Sequence, residues 1–386
     1  MFLHKVTERN KALLETAFQL HQRNEILPDT YLIDMDAIRS NAMQILKEAD
    51  KQNIELYFML KQLGRNPYIA KELVKLGYKG AVVVDFKEAA IMMKYNIPIS
   101  NVGHLVQAPK GMLKKLVAYG CHYHTVFSLE KIRDLNECAK AAGRIVPLLL
   151  KVVGEHDVIY SGQTAGFHLN ELPALIKAVK KLDYVSIKGV TSFPCFLCDE
   201  ATSAITPTPN LETLMQAKKI LEQEGIKVEN VNAPSTTSVE TLRQMQGYGI
   251  NSGEPGHGLS GTTPLHAFQT CAELPAVVYV SEVSHNFQGK AYCYGGGFYR
   301  RSHVKYAYSG TCFSNKKEVE VLPPDLDSID YYFGLSEECN VNDTVIMAFR
   351  FQMFVTRSDV CIIEGIRSKQ PKIVGRYTSL GELIHE

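Results

Sequence analysis

Apolar positions along this chain change their period twice. Residues 8–24 (ERNKALLETAFQLHQRN) repeat at helical spacing in strong helix formers and stop at the ILPDT break. After that break, short apolar and β-branched runs alternate with helix-length amphipathic stretches. The runs predict strands over 54–61, 80–86, 101–106, 123–128, 145–153, 185–193, 228–234 and 249–256. Stretches such as PYIAKELVKLG, LEKIRDLNECAKAAG, LPALIKAVKKL and LETLMQAKKILEQEG read as the helices between them, each stopping near a glycine or loop residue. Strands that alternate with helices pair in parallel through right-handed crossovers. Eight such units predict an α/β fold, a (β/α)8 TIM barrel. An open doubly wound sheet is the weaker alternative, because no G-x-G-x-x-G follows the first strand.

Near residue 266 the period falls to two. Segments AVVYVSEVSHNF, KAYCYGGGFYRR, VKYAYSG, EVEVL, DTVIMAFRFQMFVT and DVCIIEGI alternate with turn residues between them, which predicts a C-terminal all-β domain. The expected organisation is an N-terminal helical segment over 1–28, a barrel over 29–265 and a β-domain over 266–386.

Composition narrows the class of function. With 386 residues, the chain buries roughly three quarters of its unfolded surface and needs no disulfides or metals for stability. Lys and Arg total 42 against 41 Asp and Glu, so no net charge draws the chain to nucleic acid or an anionic membrane. Nine cysteines are an odd, scattered set, which points to a reducing cytoplasm rather than a disulfide framework. The N-terminus reads as neither a signal peptide nor a membrane span.

In a barrel, reactive groups gather at the C-terminal ends of the strands. Lys61 closes the first strand in YFMLKQLGRNP, and a desolvated amine there suits Schiff-base chemistry; the bland reading is a lysine ending a strand in solvent. Arg65 is able to meet a phosphate or carboxylate bidentately, or simply to start a helix. His104 follows the third strand as a cofactor neighbour or a rim histidine. After the seventh strand, NAPSTTS offers the hydroxyls of Ser235 and Thr236 at a helix start, as a phosphate site or as an ordinary cap with Glu240 completing it. After the eighth, NSGEPGHGLSGTTP brings Glu254, Gly256 and His257 together in a glycine-rich loop. Cys195 and Cys198 form a C-x-x-C without the further ligands that zinc needs, so no metal is expected. Lys151 ends the fifth strand, lining a pocket or sitting in an ion pair.

In this order the motifs resemble those of the fold-type III pyridoxal-phosphate enzymes, the superfamily of alanine racemase and the ornithine and diaminopimelate decarboxylases. The resemblance runs from TYLIDMDAIRSN at 30–41 through the barrel into the β-domain. It implies pyridoxal 5'-phosphate as cofactor, with Lys61 in FMLKQLGRNP as the lysine that carries it. VGHLVQAPK, which contains His104, is similar to a third-strand motif of single-domain relatives. NAPSTTS occupies the phosphate-binding position, and GEPGH that of the last cofactor motif. Ser235, Thr236, Gly256 and His257 are thereby expected at the phosphate end, and Arg65 is a further cofactor-binding candidate by its position. CYGGGFYRR resembles the segment carrying the racemase tyrosine, which would be Tyr294. Near the C-terminus, Arg376 and Tyr377 resemble over a short stretch the surroundings of a racemase tyrosine close to the phosphate.

Departures from the racemase pattern bear on the reaction. Glu254 stands where alanine racemases have an arginine opposite the ring nitrogen, His257 replaces the decarboxylase arginine, and Ser192 replaces a histidine on the sixth strand. A carboxylate in that position favours a protonated ring. The resemblance implies an amino-acid racemase or epimerase with Lys61 and Tyr294 as its two bases. The alternatives are a decarboxylase of the same fold and a non-catalytic pyridoxal-phosphate-binding protein. Tyr294 is expected from the partner in a homodimer with shared active sites, with Arg300 and Arg301 near it in sequence. The implied substrate is an amino acid, a small molecule.

Overall fold

The computed structural model describes residues 2–385, which form two compact units. One holds residues 45–60 and 70–256; the other holds the chain through Gln44, the short span Lys61–Ile69, and everything from His257 onward.

The first unit is the barrel. Its strands are Glu55–Leu56, Ala81–Val83, Ile99–Val102, Tyr123–Val126, Val146–Val153, Val185–Thr191, Asn230–Asn232 and Ser252–Gly253. All eight lie within the runs expected from the sequence or overlap them. They pair in parallel in that order, the last strand pairs with the first, and a bridge between Phe58 and Ala81 joins the first to the second. Tyr57, Met59, Val82, Tyr123 and Leu149 form an apolar cluster among themselves. Helices such as Leu129–Ala141 start on built caps: the Ser128 hydroxyl accepts from the N–H of Lys131, as a short polar side chain at that position is expected to do. A small hairpin, Phe196–Asp199 with Ala204–Pro207, follows the sixth strand.

The second unit is built on six antiparallel strands closed into a ring. Going round, they are Val277–Phe287, Lys290–Tyr294, Tyr332–Leu335, Lys317–Leu322, Tyr306–Gly310 and Thr344–Met347, the last pairing back to the first. Thr30–Asp34 pairs with Val277–Phe287 and with Asp359–Glu364, which carries Lys372–Thr378 on its far side. The boundaries expected from the sequence therefore need correction. Residues 30–34, expected in the barrel, are a strand of the β-domain sheet, and the helices of 1–28 belong to that domain as well. The reason is burial. Phe2, Val6, Leu13, Leu14, Ala17 and Phe18 form one core with Leu32, Val278, Val280, Ile346 and Ile363. An apolar helical stripe of this size is covered by a sheet face, and the sheet is the one Thr30–Asp34 enters.

The single helix expected over 8–24 is two, Phe2–Arg9 and Lys11–Gln22, broken at Asn10. Asn10 leaves helical geometry and its amide donates to Asp34 and to the carbonyl of Pro275, each at 2.9 Å. Local propensity favours continuation, but the paired amide bonds outweigh it. No described helix is long and apolar enough to cross a membrane.

Candidate active site

The chain leaves the first barrel strand through Leu60 and turns at once. Lys61–Leu63 is a single 3-10 turn, followed by two left-handed residues, Gly64 (φ +66°) and Arg65 (φ +51°). A side chain at Gly64 would meet Val360 at 2.9 Å, so glycine is required there twice over. Asn66 then ends the turn. Its Oδ1 accepts from the N–H groups of Tyr68 (3.0 Å) and Ile69 (3.1 Å), which caps the helix Pro67–Leu76, with proline at the first helical position. Arg65 is buried, its guanidinium 5.3 Å from the centre of the Phe354 ring.

The same unit holds His257, which opens the short helix His257–Ser260. Its Nε2 lies 2.8 Å from the carbonyl oxygen of Phe351, and only an N–H satisfies that bond, so the neutral ring carries its proton on Nε2. Nδ1 is then an acceptor and faces the amide nitrogen of Gln62 at 3.5 Å. Burial, with the positive charges of Arg350 and Lys61, holds the imidazole well below its usual pKa. His257 thus reaches the residue next to Lys61.

A second group of candidates lies in the barrel. Glu254, 7% exposed, follows the eighth strand; its Oε1 accepts from Asn232 Nδ2 at 2.5 Å and its backbone N–H donates to Thr237 Oγ1 at 3.3 Å. Asn232 ends the seventh strand and is also 3.4 Å from Thr191 Oγ1 at the end of the sixth. In the loop that follows, Ser235 donates to the carbonyl of Phe196 at 2.8 Å, and Thr236 is left-handed (φ +51°) with its carbonyl accepting from Thr241 Oγ1 at 2.6 Å. Ser238, not Ser235, is the cap of the helix Val239–Gln244. His104 is buried with its ring edge-on to Phe193 at 5.7 Å. Lys151 is buried 5.5 Å from the centre of the Phe127 ring, and burial lowers its pKa. Ser192 is fully buried and accepts from Asn210 at 3.3 Å. Cys195 donates to the carbonyl of Ser192, while Cys198 sits on the hairpin; both are free thiols.

Tyr294 ends a strand of the β-domain ring, 37% exposed, with its ring 6.0 Å from that of Tyr332. The three glycines after it have structural causes. A side chain at Gly295 would meet the carbonyl of Asp330 at 2.1 Å, one at Gly296 the carboxylate of Asp29 at 1.9 Å, and one at Gly297 the Tyr279 ring at 2.4 Å. Arg300 donates to the carbonyl of Leu326, and Arg376 to that of Glu25.

Sequence reading misses Gln62 and Asn232. The signal for Asn232 is present, because Asn230 and Asn232 alternate with Val231 in the seventh strand, polar where a barrel interior is usually branched and apolar.

A parallel eight-stranded barrel in one unit and an antiparallel β-domain in the other define a fold class, and comparison with known proteins agrees. Residues 33–264 match the alanine racemase N-terminal domain, and the chain belongs to that family, whose fold is that of pyridoxal-phosphate-dependent enzymes. Residues 278–373 match the YhfX-like C-terminal domain. The chain is 44% identical over 382 residues, 99% of each protein, to the uncharacterized protein YhfX of Escherichia coli K12. It is similar in structure to alanine racemase of Clostridium difficile 630 in complex with cycloserine, with a TM-score of 0.67, 18% identity, and 91% of this chain and 98% of that one covered. Diaminopimelate decarboxylase of M. jannaschii, in complex with L-lysine, matches with a TM-score of 0.63 and 16% identity over 92% and 89% of the two chains.

The residues present fit pyridoxal phosphate by their chemistry: a primary amine, a buried carboxylate held by an amide, and a hydroxyl-rich turn. His257 fits less well as a phosphate ligand, because its one N–H is given to Phe351.

Proposed function

We propose that the protein is a pyridoxal-phosphate-dependent amino-acid racemase or epimerase. The observation that carries the cofactor part of this reading is Glu254, a carboxylate buried after the last barrel strand and held by Asn232, and racemisation rests on Tyr294 of the β-domain as a second base. Pyridoxal phosphate, when bound, supplies an aldehyde that condenses with amines and a ring that accepts the electrons of a broken Cα bond. Lys61 would hold it through its amine. Glu254 would hold a proton at the ring nitrogen, since a nearby carboxylate favours the cationic form. Arg65, Ser235, Thr236 and Gly256 would take the phosphate, and His104 would flank the ring. His257 acts on this reading as a positioning residue, gripping Gln62 beside Lys61.

Racemisation needs proton transfer on both faces of the substrate carbon. Lys61 Nζ would serve one face and the Tyr294 hydroxyl the other. Tyr294 is exposed on its own β-domain, which supports donation to a partner subunit in a homodimer. The substrate is an amino acid and the setting cytoplasmic. A decarboxylase is the second reading, favoured by the presence of a carboxylate rather than an arginine at position 254.

Two measurements test the proposal. Borohydride reduction of the yellow protein, followed by peptide mapping, should label Lys61; a label on Lys151 instead would refute the assignment. Incubation with single amino acids in D2O should give deuterium at Cα with loss of chirality. Amine and CO2 would point to the decarboxylase, and no reaction with any amino acid to a binding protein.

A further inference from the structure

The barrel interior contains a row of polar side chains that no cofactor contact requires. It starts at Glu55, the first residue of the first strand, whose carboxylate is 3.9 Å from Lys79 and 39% exposed. Tyr57 donates its hydroxyl proton to Glu55 Oε2 at 3.0 Å, and the Tyr57 oxygen accepts from Asn230 Nδ2 at 2.8 Å. Asn230 Oδ1 accepts from the Ser252 hydroxyl at 2.9 Å. That same hydroxyl is 3.4 Å from Asn232 Oδ1, and Asn232 Nδ2 donates to Glu254.

The directions of these bonds are fixed by charge. A carboxylate only accepts when ionised, so each end of the row draws an NH2 or OH group toward itself. The two asparagines consequently point their NH2 groups apart, Asn230 toward Tyr57 and Asn232 toward Glu254, and turn both carbonyls to Ser252. Ser252 has one proton for three acceptors, Asn230 Oδ1 at 2.9 Å, Asn232 Oδ1 at 3.4 Å and the Val231 carbonyl at 3.5 Å, so its hydroxyl is shared between the two amides. Were Asn232 to turn over, its carbonyl would face the Glu254 carboxylate and its NH2 would exchange that carboxylate for the neutral Ser252 oxygen as acceptor. In a buried site that exchange is costly.

We infer that Asn232 is the positioning residue for Glu254, that the carboxylate sets the direction of the Asn232 amide, and that Ser252 joins this pair to a hydrogen-bonded row reaching Glu55 at the N-terminal end of the barrel. The catalytic meaning of this rests on the reading of Glu254 as the partner of the ring nitrogen. The row itself does not.

The test is a double-mutant cycle on the full chain with Ser252→Ala and Glu254→Gln, residues that share no direct bond. Groups in one hydrogen-bonded network couple, whereas separate groups give additive effects. Melting without added cofactor should show the Ser252→Ala loss shrinking when Glu254 is already Gln, because a neutral amide at 254 imposes no direction on Asn232. Pyridoxal-phosphate affinity, followed by fluorescence, should fall about threefold or more in Ser252→Ala but only with Glu254 intact. The pH midpoint of the bound cofactor's visible band should shift with it, and Ser252→Thr, which keeps the hydroxyl, should restore both. Additive melting shifts would overturn the inference, as would equal affinity losses in both backgrounds. If the wild-type chain takes up no pyridoxal phosphate while the melting cycle is non-additive, the row stands and the cofactor reading falls.

Discussion

His257 gives its only ring proton to the backbone carbonyl of Phe351 at 2.8 Å. That bond makes the other ring nitrogen an acceptor, aims it at Gln62, and ties the residue after Gly256 to the residue after Lys61. A buried histidine of this kind is committed to one tautomer, and protonating it would place two donors where one acceptor is needed.

His257 should therefore shape the acid limb of the stability curve. Its folded pKa is depressed by burial and by Arg350 and Lys61, while the unfolded ring titrates at about 6.5. Below that pH the unfolded chain binds the additional proton, so stability is complete above it and is lost as pH falls toward the folded value. His257→Gln should flatten the dependence between pH 7 and 5 by up to about 1.4 kcal/mol per pH unit. Urea midpoints across that range measure it, and an unchanged slope would mean the ring protonates freely. His124, held at about 4 by burial and Arg144, gives a slope of the same sign that survives the substitution.

Asp29 works in the opposite direction. Burial raises its carboxyl to about 6, against hydrogen bonds from Ser358 and Tyr279 and the charge of Arg357, with Asp330 adding repulsion. The folded state thus binds more protons above the unfolded value, and stability falls as pH rises through that window to about 6. Asp29→Asn should gain on wild type between pH 4 and 7, by on the order of 1–3 kcal/mol. Melting temperatures at the two pH values decide this, and a constant difference between the proteins would contradict it.

Gly296 is the position in the β-domain least able to carry a side chain. It is left-handed (φ +124°) and a Cβ would lie 1.9 Å from the Asp29 carboxylate. Its N–H and that of Phe298 both donate to Asp330 Oδ2 at 3.1 Å. Gly296→Ala should cost about 2 kcal/mol or more, since strain and collision add. Denaturant unfolding of the full chain reads the loss, and a wild-type midpoint would show that the loop moves aside.

Tyr294 sits two residues before that glycine, and the proposed shared site makes a direct demand on it. Lys61→Ala and Tyr294→Phe should each abolish racemisation when pure. Mixed under conditions of subunit exchange, they should regain activity, up to about a quarter of wild type, from the one intact site in the mixed dimer. Exchange without recovered activity would exclude the arrangement. Full activity of Tyr294→Phe alone would leave Lys61 as the single base or favour decarboxylation.

How far the sequence carries differs between the two units. All eight barrel strands are legible, because a strand buried on both faces must be apolar over its length and its helices must be amphipathic. In the β-domain, Tyr332–Leu335 and Lys372–Thr378 do not stand out, since YFGL and KIVGRYT do not alternate cleanly. Thr30–Asp34 reads as an entry to the barrel because local pattern says nothing about which sheet a strand joins. Its pairing with Val277–Phe287 spans almost 250 positions of chain, and only packing of the N-terminal helices over that sheet decides it.

The chemistry divides in the same way. Lys61 and Glu254 are visible as candidates in the sequence, Lys61 at the end of an apolar run and Glu254 in a glycine-rich loop after the eighth strand, and the role proposed for each comes from the family resemblance. Tertiary structure decided the contacts beside Lys61 and on Glu254. Gln62 and His257 are 195 positions apart, and Asn232 and Glu254 meet across neighbouring strands whose register no local pattern encodes. A hydrogen bond depends on the placement of two atoms to within a few tenths of an ångström, whereas periodicity specifies only which face of an element is buried.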